Sequence, residues 1–323
     1  MSCYRKQTGL LCLLMCLQIT PVAADNDWFK GGHVKYRYLL NSFPEDSLFR
    51  DYVDSPMTEQ GADLRLKFDW KKDKTSLVAD YQLIGQHGDS FALANNLSGT
   101  VLAIDPVVND DRRLFDMTSV IAEDNNSALT QRLDRMYIEY ADSSMVARVG
   151  RQAISWGNGL VYTPMDFVNP FDPSAIDKEY KSGDDMLYGQ YLQQSGNDVQ
   201  AVWVFRRDIN GDTTSDVDTI AAKYHGFGVS REYDVLVAQH YGDNIIGVGG
   251  ISDVGEAIWR GDITLTRTES NSVVKAETVT SLVTNLSYSW VSWGHNISGL
   301  VEYFYNGFGQ TNGDYSPAAL ANN

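Results

Sequence analysis

Cysteine is almost absent from this chain. Its 323 residues hold three, Cys3, Cys12 and Cys16, all within residues 1–24. Disulfides therefore stabilise nothing downstream, and an exported domain without them needs size or a closed hydrogen-bond network instead. Long apolar runs are missing too. No stretch approaches the roughly twenty residues of a membrane-spanning helix, which excludes a helical membrane protein. Positive charge is scarce: 26 Lys and Arg stand against 42 Asp and Glu, a net charge of −16. That balance argues against a nucleic-acid partner, which wants a basic surface.

Residues 1–24 read as an export signal. Arg5 and Lys6 precede an apolar run at 10–19, then Pro21-Val22-Ala23-Ala24, the charge, core and small-residue order of a cleaved signal peptide. The run is about half the length that would span a bilayer. Cleavage is expected after Ala24, leaving 25–323 as one domain. Cys16 raises acylation, but a lipoprotein signal wants a small residue before the cysteine and Met15 is large. Without Arg5 and Lys6 the mature chain carries 24 basic against 42 acidic residues, a net charge of −18.

What the chain has in abundance is alternation. In 62–70, Ala62, Leu64, Leu66, Phe68 and Trp70 share one face and Asp63, Arg65, Lys67 and Asp69 the other. A helix, whose apolar positions recur every three or four residues, cannot produce this; a strand with one oily and one charged face does. Segments 33–40, 76–84, 135–140, 145–149, 185–192, 198–206, 218–227, 231–241, 257–268, 273–290 and 296–306 behave similarly. About twelve strands result, many near the ten or so residues that cross a membrane at a tilt. The expected fold is an all-β antiparallel transmembrane barrel, the other architecture that satisfies every backbone group in lipid.

Connections alternate in length. Those at 41–60, 85–130 and 151–183 are long, and those at 71–74, 141–144 and 193–197 short; 207–216 and 242–256 are intermediate, and 228–230, 269–272 and 292–295 tight. Outer-membrane barrels show this asymmetry. The 18 Tyr and seven Trp often fall near strand ends, as aromatic girdles do, although both residues favour strands anyway. The terminus disagrees: 316–323 is not an amphipathic strand closing on an aromatic residue. The chain is expected to stop short of its closing strands, since a sheet edge left in lipid would be unpaired.

Catalytic signals are weak. Gly88-Asp89-Ser90-Phe91 looks like the start of an esterase block, yet no histidine has an Asp three residues before it, and no Gly-x-Ser-x-Gly elbow exists. The five histidines lack zinc spacing. Asp208-x-Asn210-Gly211-Asp212 resembles a calcium loop, but its twelfth position is Thr219 rather than Glu, and an Asn-Gly turn explains it. Neither an enzyme, a cofactor nor a metal is expected.

The most distinctive block is Val149-Gly150-Arg151-Gln152-Ala153-Ile154-Ser155-Trp156-Gly157 with Asn169-Pro170-Phe171-Asp172-Pro173 downstream. Here the chain resembles a family of Gram-negative outer-membrane barrels of undefined function, near the phosphate-selective and alginate-export porins. The resemblance implies a barrel pore and transfers no substrate. The loop 151–183 is long and apolar (Leu160, Val161, Tyr162, Met165, Phe167, Val168, Phe171) and must bury that surface. It either enters the barrel, where Arg151, Trp156, Asp166, Asn169, Asp172, Asp177, Lys178 and Glu179 narrow the lumen, or packs outside as a lid.

The inward faces carry Lys35, Arg37, Arg65, Lys67, Arg135, Arg148, Arg206, Lys223 and Arg260 against Asp63, Asp69, Asp80, Glu139, Asp262 and Glu302; Arg267 faces outward. The acidic excess then lies in loops, and a balanced to slightly basic lumen suits small polar or anionic solutes, unless its charges pair across strands and plug it. A porin-like channel in outer-membrane lipid is the expected function. A non-conducting barrel that anchors or assembles a surface component, and a soluble exported carbohydrate-binding β-protein, are the alternatives. The exported form should begin at Asp25 without acylation. Intact mass and N-terminal sequencing check this, and an acylated Cys16 would refute it.

Overall fold

A computed structural model describes residues 10–19 (backbone only), 28–45, 47–100, 103–170, 180–269 and 277–309. Its fold is all-β. The strands are β1 (Leu10–Ile19), β2 (Phe29–Asn41), β3 (Met57–Lys72), β4 (Thr75–Gly88) and β5 (Thr118–Asp124). Next come β6 (Ser127–Ala141), β7 (Met145–Gln152), β8 (Asp184–Leu192), β9 (Asp198–Val204) and β10 (Thr219–Gly228). The last five are β11 (Arg231–His240), β12 (Asp243–Val254), β13 (Ala257–Arg267), β14 (Thr278–Ser292) and β15 (His295–Asn306). A helix, α1 (Ser90–Leu97), lies between β4 and β5.

One antiparallel sheet runs from β1 to β15 in chain order, leaving the path only at β5, which pairs with β6 in line with β7. Among the described residues the sheet does not close. The run 10–19 pairs with β2, Leu10 opposite Asn41 and Ile19 opposite Gly32. In the full-length chain the apolar segment thus covers the edge of the first strand of 25–323.

The burial is inverted relative to a water-soluble sandwich. Val149, Leu187, Trp203, Ile220, Val237, Ile246, Val248 and Leu265 are exposed, while Lys35, Arg65, Arg132, Asp134, Arg206, Lys223, Asp234 and Asp262 are buried. Alternation assigns the first group to the outer face and the second to the inner one. Connections at one end are short (73–74, 142–144, 193–197, 229–230, 255–256, 293–294), and the opposite end holds 42–56, 89–126, 153–183, 205–218 and 268–277 together with one two-residue turn, 241–242.

Two expectations need correction. Residues 242–256 are not a loop: 243–254 is β12, fully paired with β11 and β13. Its inner positions include Gly247 and Gly249, so it lacks the charged face that marks the other strands. Restoring this strand places 268–277 with the long connections and 293–294 with the short turns. Secondly, the expected loop 85–130 holds the end of β4, α1, β5 and the start of β6, which begins at Ser127 rather than near Arg135. Asp80 pairs with Arg135 but Tyr81 with Leu133, which leaves Asp134 as the extra residue of a bulge. Parity flips there, so Arg132 and Asp134 face inward above the bulge, and Arg135 and Glu139 below it.

The short turns are locally encoded. Asp142 accepts the Ser144 and Met145 N–H groups, each at 3.0 Å, and these bonds hold its carboxyl at about 2, below the ordinary range. A depressed folded-state value means that the turn gains stability from Asp142 above about pH 4 and loses it as pH falls towards 2. Intrinsic-rate-corrected exchange of the Ser144 and Met145 amides should be constant above about pH 4 and accelerate below it, and Asp142→Ala should abolish that dependence. Acceleration already near neutral pH would contradict the assignment.

Candidate functional site

The inner face of β2, β3, β4 and β6 is basic and organised around one carboxylate. Asp134 accepts from Arg65 at 2.8 Å, Arg132 at 2.5 Å and Arg135 at 2.7 Å. Arg65 also approaches Asp80 at 3.4 Å. Facing these strands, the Tyr180 ring lies 4.3 Å from Lys67 Nζ, 4.6 Å from the Arg65 guanidinium and 5.2 Å from Lys35 Nζ. His33 stacks on it at 4.9 Å. Between this wall and the segments around Asn169 and Lys181 lies a cavity of about 360 Å³, lined in part by Lys35, Arg37, Asp63, Arg65, Gln82, Gln86 and Arg132.

The other half of the inner face is acidic, and the segment 153–170 occupies it. Trp156 donates its indole N–H to Gln200 at 2.7 Å. The Asn158 N–H donates to Asp262 at 2.6 Å, and its side-chain amide to Asp262 at 2.7 Å and Asp234 at 3.1 Å. Further on, the N–H groups of Leu160, Val161 and Tyr162 all donate to Glu302, at 2.9–3.1 Å. The apolar residues then find their burial: Met165 and Val168 pack with Ile154, Trp156, Val204, Leu236 and Ile245. Of the two routes open to the long loop, its described part therefore takes the inward one.

Glycines make room for it. A Cβ on Gly249 would lie 2.1 Å from Asp262 Oδ1 and 2.9 Å from Asn158 Nδ2, and one on Gly247 would lie 3.3 Å from Met165 Cγ. β12 is glycine-rich where the loop crosses it, which is why its strand pattern fades in the sequence.

Most expected inward bases are paired. Arg148 bonds Glu139 at 2.6 Å, Arg206 bonds Asp184 at 2.8 Å, Lys223 approaches Asp234 at 3.4 Å, and Arg260 donates to Ser287 at 2.9 Å. Lys67 is hydrogen-bonded to the Tyr180 hydroxyl, and Asp63 accepts from Gln82. Arg37 lies on the cavity wall. Sequence parity missed Arg132 and Asp134 because of the bulge, and Asp184, Asp234 and Lys181 because single charges in apolar or loop contexts carry no pattern.

The loop candidates divide. Asp166 accepts from Lys181, and Lys181 also donates to the Ile154 carbonyl at 2.7 Å. Asn169 lines the cavity. Arg151 does not line it: its guanidinium is enclosed by Asp110 at 2.6 Å, Asp185 at 2.9 Å and the Phe115 carbonyl, at the upper end of β7. Burial alone would raise the Asp110 carboxyl, but hydrogen bonds from Arg151, the Met117 N–H and Arg113 hold it below its ordinary value. Arg151 thus anchors the segment before β5. Asp172, Asp177, Lys178 and Glu179 lie outside the described residues.

The two suspect motifs are structural. Ser90 donates to Glu59 and Asp89 accepts from Thr58, which ties α1 to β3. Asp208 caps the turn at Asn210 and Asp212.

Comparison with protein-family models, with curated proteins and with solved structures returns no match for this chain. Function must therefore be argued from geometry.

Overpacking the loop seat tests that geometry. Gly249→Val should cost about 1–3 kcal/mol and expose Tyr162 and Phe167 to chymotrypsin. Gly189→Ala should change neither, since a Cβ there meets nothing within 4 Å. Equal cleavage of both variants would show that the loop is not seated on β12.

Proposed function

We propose that this chain forms the wall and inner constriction of an outer-membrane, porin-like barrel that passes small polar or anionic solutes. The observation that carries the reading is the inverted burial: large aliphatic and aromatic side chains on the outer face, charged clusters on the inner one. Water-soluble proteins seldom expose contiguous apolar surface on this scale, whereas lipid rewards it and penalises an unpaired sheet. Aromatic groups cluster at the short-turn end, where Trp28, Phe68 and Trp70 stack at 5.6–5.8 Å and Tyr288 stacks on Trp290 at 5.6 Å. Such belts suit a membrane interface.

The inward loop supports a selective passage. It consumes carboxylates, because Asp262, Asp234 and Glu302 all accept its N–H groups, and leaves the opposite wall basic. A modest anion preference follows, since charges in a narrow bore act on every passing ion, while loop carboxylates at the mouth are screened within about 8 Å at physiological salt. The density of ion pairs favours a second reading, in which the paired charges and the loop plug the barrel and it anchors a surface component instead. A soluble carbohydrate-binding protein is the weakest of the three, for it leaves the outer face unexplained.

Planar-bilayer recording on full-length protein decides between the first two. Discrete conductance steps with a reversal potential of anionic sign are expected, and a silent bilayer would favour the plug. Val237→Arg, on the outer face, should cost about 2–4 kcal/mol of folding stability in bilayers. Unchanged stability without detergent or lipid would return the soluble reading.

A further inference from the structure

The cavity beneath β2, β3, β4 and β6 carries features that its own ion pairs do not exhaust. Arg65 is buried, yet its Nε has no hydrogen-bond partner; the same holds for the buried Asn169 Nδ2 and Gln86 Oε1. All three residues line this one cavity. Buried polar atoms are almost always satisfied, so three unsatisfied ones around a single space point to something that enters it. Two of them are donors, one cationic and one neutral, and the third is an acceptor.

The charge balance agrees with the donors. The described lining holds five cationic side chains and one carboxylate, Asp63. Arg65 and Arg132 share the single carboxylate of Asp134, Lys181 bonds Asp166, and Gln82 already occupies Asp63. Arg37 adds an exposed guanidinium to the lining. A volume of about 360 Å³ accommodates a small solute, not a polymer or a helix.

We propose that this cavity is a binding site for a small hydroxylated oxyanion, such as a hydroxy acid. The oxyanion accepts from Arg65 Nε and Asn169 Nδ2 beside Arg37, and a hydroxyl donates to Gln86 Oε1. The proposal deepens the channel reading and rests on it only for the route by which solute arrives; binding itself does not require conduction.

Calorimetric titration of the full-length protein in detergent tests the site with three probes. Gluconate supplies both groups, sorbitol the hydroxyls without the carboxylate, and acetate the carboxylate without the hydroxyls. Gluconate should bind, sorbitol should not, and acetate should bind more weakly. Asn169→Asp should weaken gluconate about tenfold or more, because it replaces a donor by a like charge in a desolvated site. The variant should fold: Asn169 Nδ2 makes no hydrogen bond to lose, and its φ of 47° is one that Asp tolerates. Arg37→Gln should weaken binding as well. Equal affinity of Asn169→Asp and the parent, or no gluconate binding by folded protein, overturns the site. Sorbitol binding as tightly as gluconate overturns the oxyanion, and acetate binding as tightly overturns the hydroxyl. Conduction without gluconate binding defeats the site and spares the channel, whereas gluconate binding by a silent protein defeats the channel and spares the site.

Discussion

Asp134 takes ion pairs from three guanidiniums while almost wholly buried, and the arrangement of the basic wall depends on it. Several arginines held this close repel one another unless a carboxylate stands between them, and removing a buried charge's partner typically costs about 3–5 kcal/mol. The carboxylate reaches all three because the bulge against β4 inserts it as an extra residue. Were Asp134 paired in regular alternation instead of bulged, Arg132 and Arg135, three positions apart, would point to opposite faces. The bulge thereby keeps two guanidiniums of one strand on one side, and its extra residue supplies the charge that holds them there.

The same logic, with opposite sign, governs the other half of the inner face. Asp234, Asp262 and Glu302 come from three different strands, and no lysine or arginine of those strands bonds Asp262 or Glu302 among the described contacts. Asp262 is met by backbone N–H groups and an asparagine from 156–162, and Glu302 by backbone N–H groups of that segment and by Asn285, whereas Asp234 also pairs with Lys223 and His225. A loop supplies such donors only where its backbone approaches the sheet closely, and Gly249 permits this. The apolar side chains of the loop then cover Val204, Leu236 and Ile245, so a hydrophobic cluster forms on a face that is otherwise polar. Loop and wall stabilise each other through unlike terms: directional hydrogen bonds fix the position, and apolar burial supplies most of the driving force.

Much of the fold was legible because one rule, alternation, applies to nearly every strand. Residues 62–70 show it without interruption, and their outer and inner faces lie as the pattern requires. The failures have local causes. β12 was read as a loop because glycines replaced the inner side chains, and 127–134 was missed because a bulge shifted the phase within one strand. The site was less legible than the sheet. Arg65 and Lys67 stood out as inner charges, but Asn158 meets Asp262 across 104 positions of sequence, and no spacing rule connects them. Arg151 drew notice through its motif, and its role proved to be anchoring rather than lining. Sequence shows which face a side chain takes; it does not show what a distant segment brings to that face.

The division of charge on the inner face follows from where the long loop spends its donors. A segment of net acidic composition would be expected to make the inner face more negative on packing against it. Here it meets the acidic wall with backbone N–H groups, which carry partial positive charge and neutralise carboxylates without adding a cation. Its own Asp166 is bonded by Lys181 from the returning end of the loop, so that carboxylate is compensated within the loop itself. Across the face, among the described residues, the guanidiniums of Arg65, Arg132 and Arg135 share the one carboxylate of Asp134, with Asp80 near Arg65, and Arg37 adds a further guanidinium on the cavity wall. Formal chain charge is therefore a poor guide to the field inside: a strongly acidic protein can hold a basic recess, because its carboxylates are occupied by amides while its guanidiniums share too few of them.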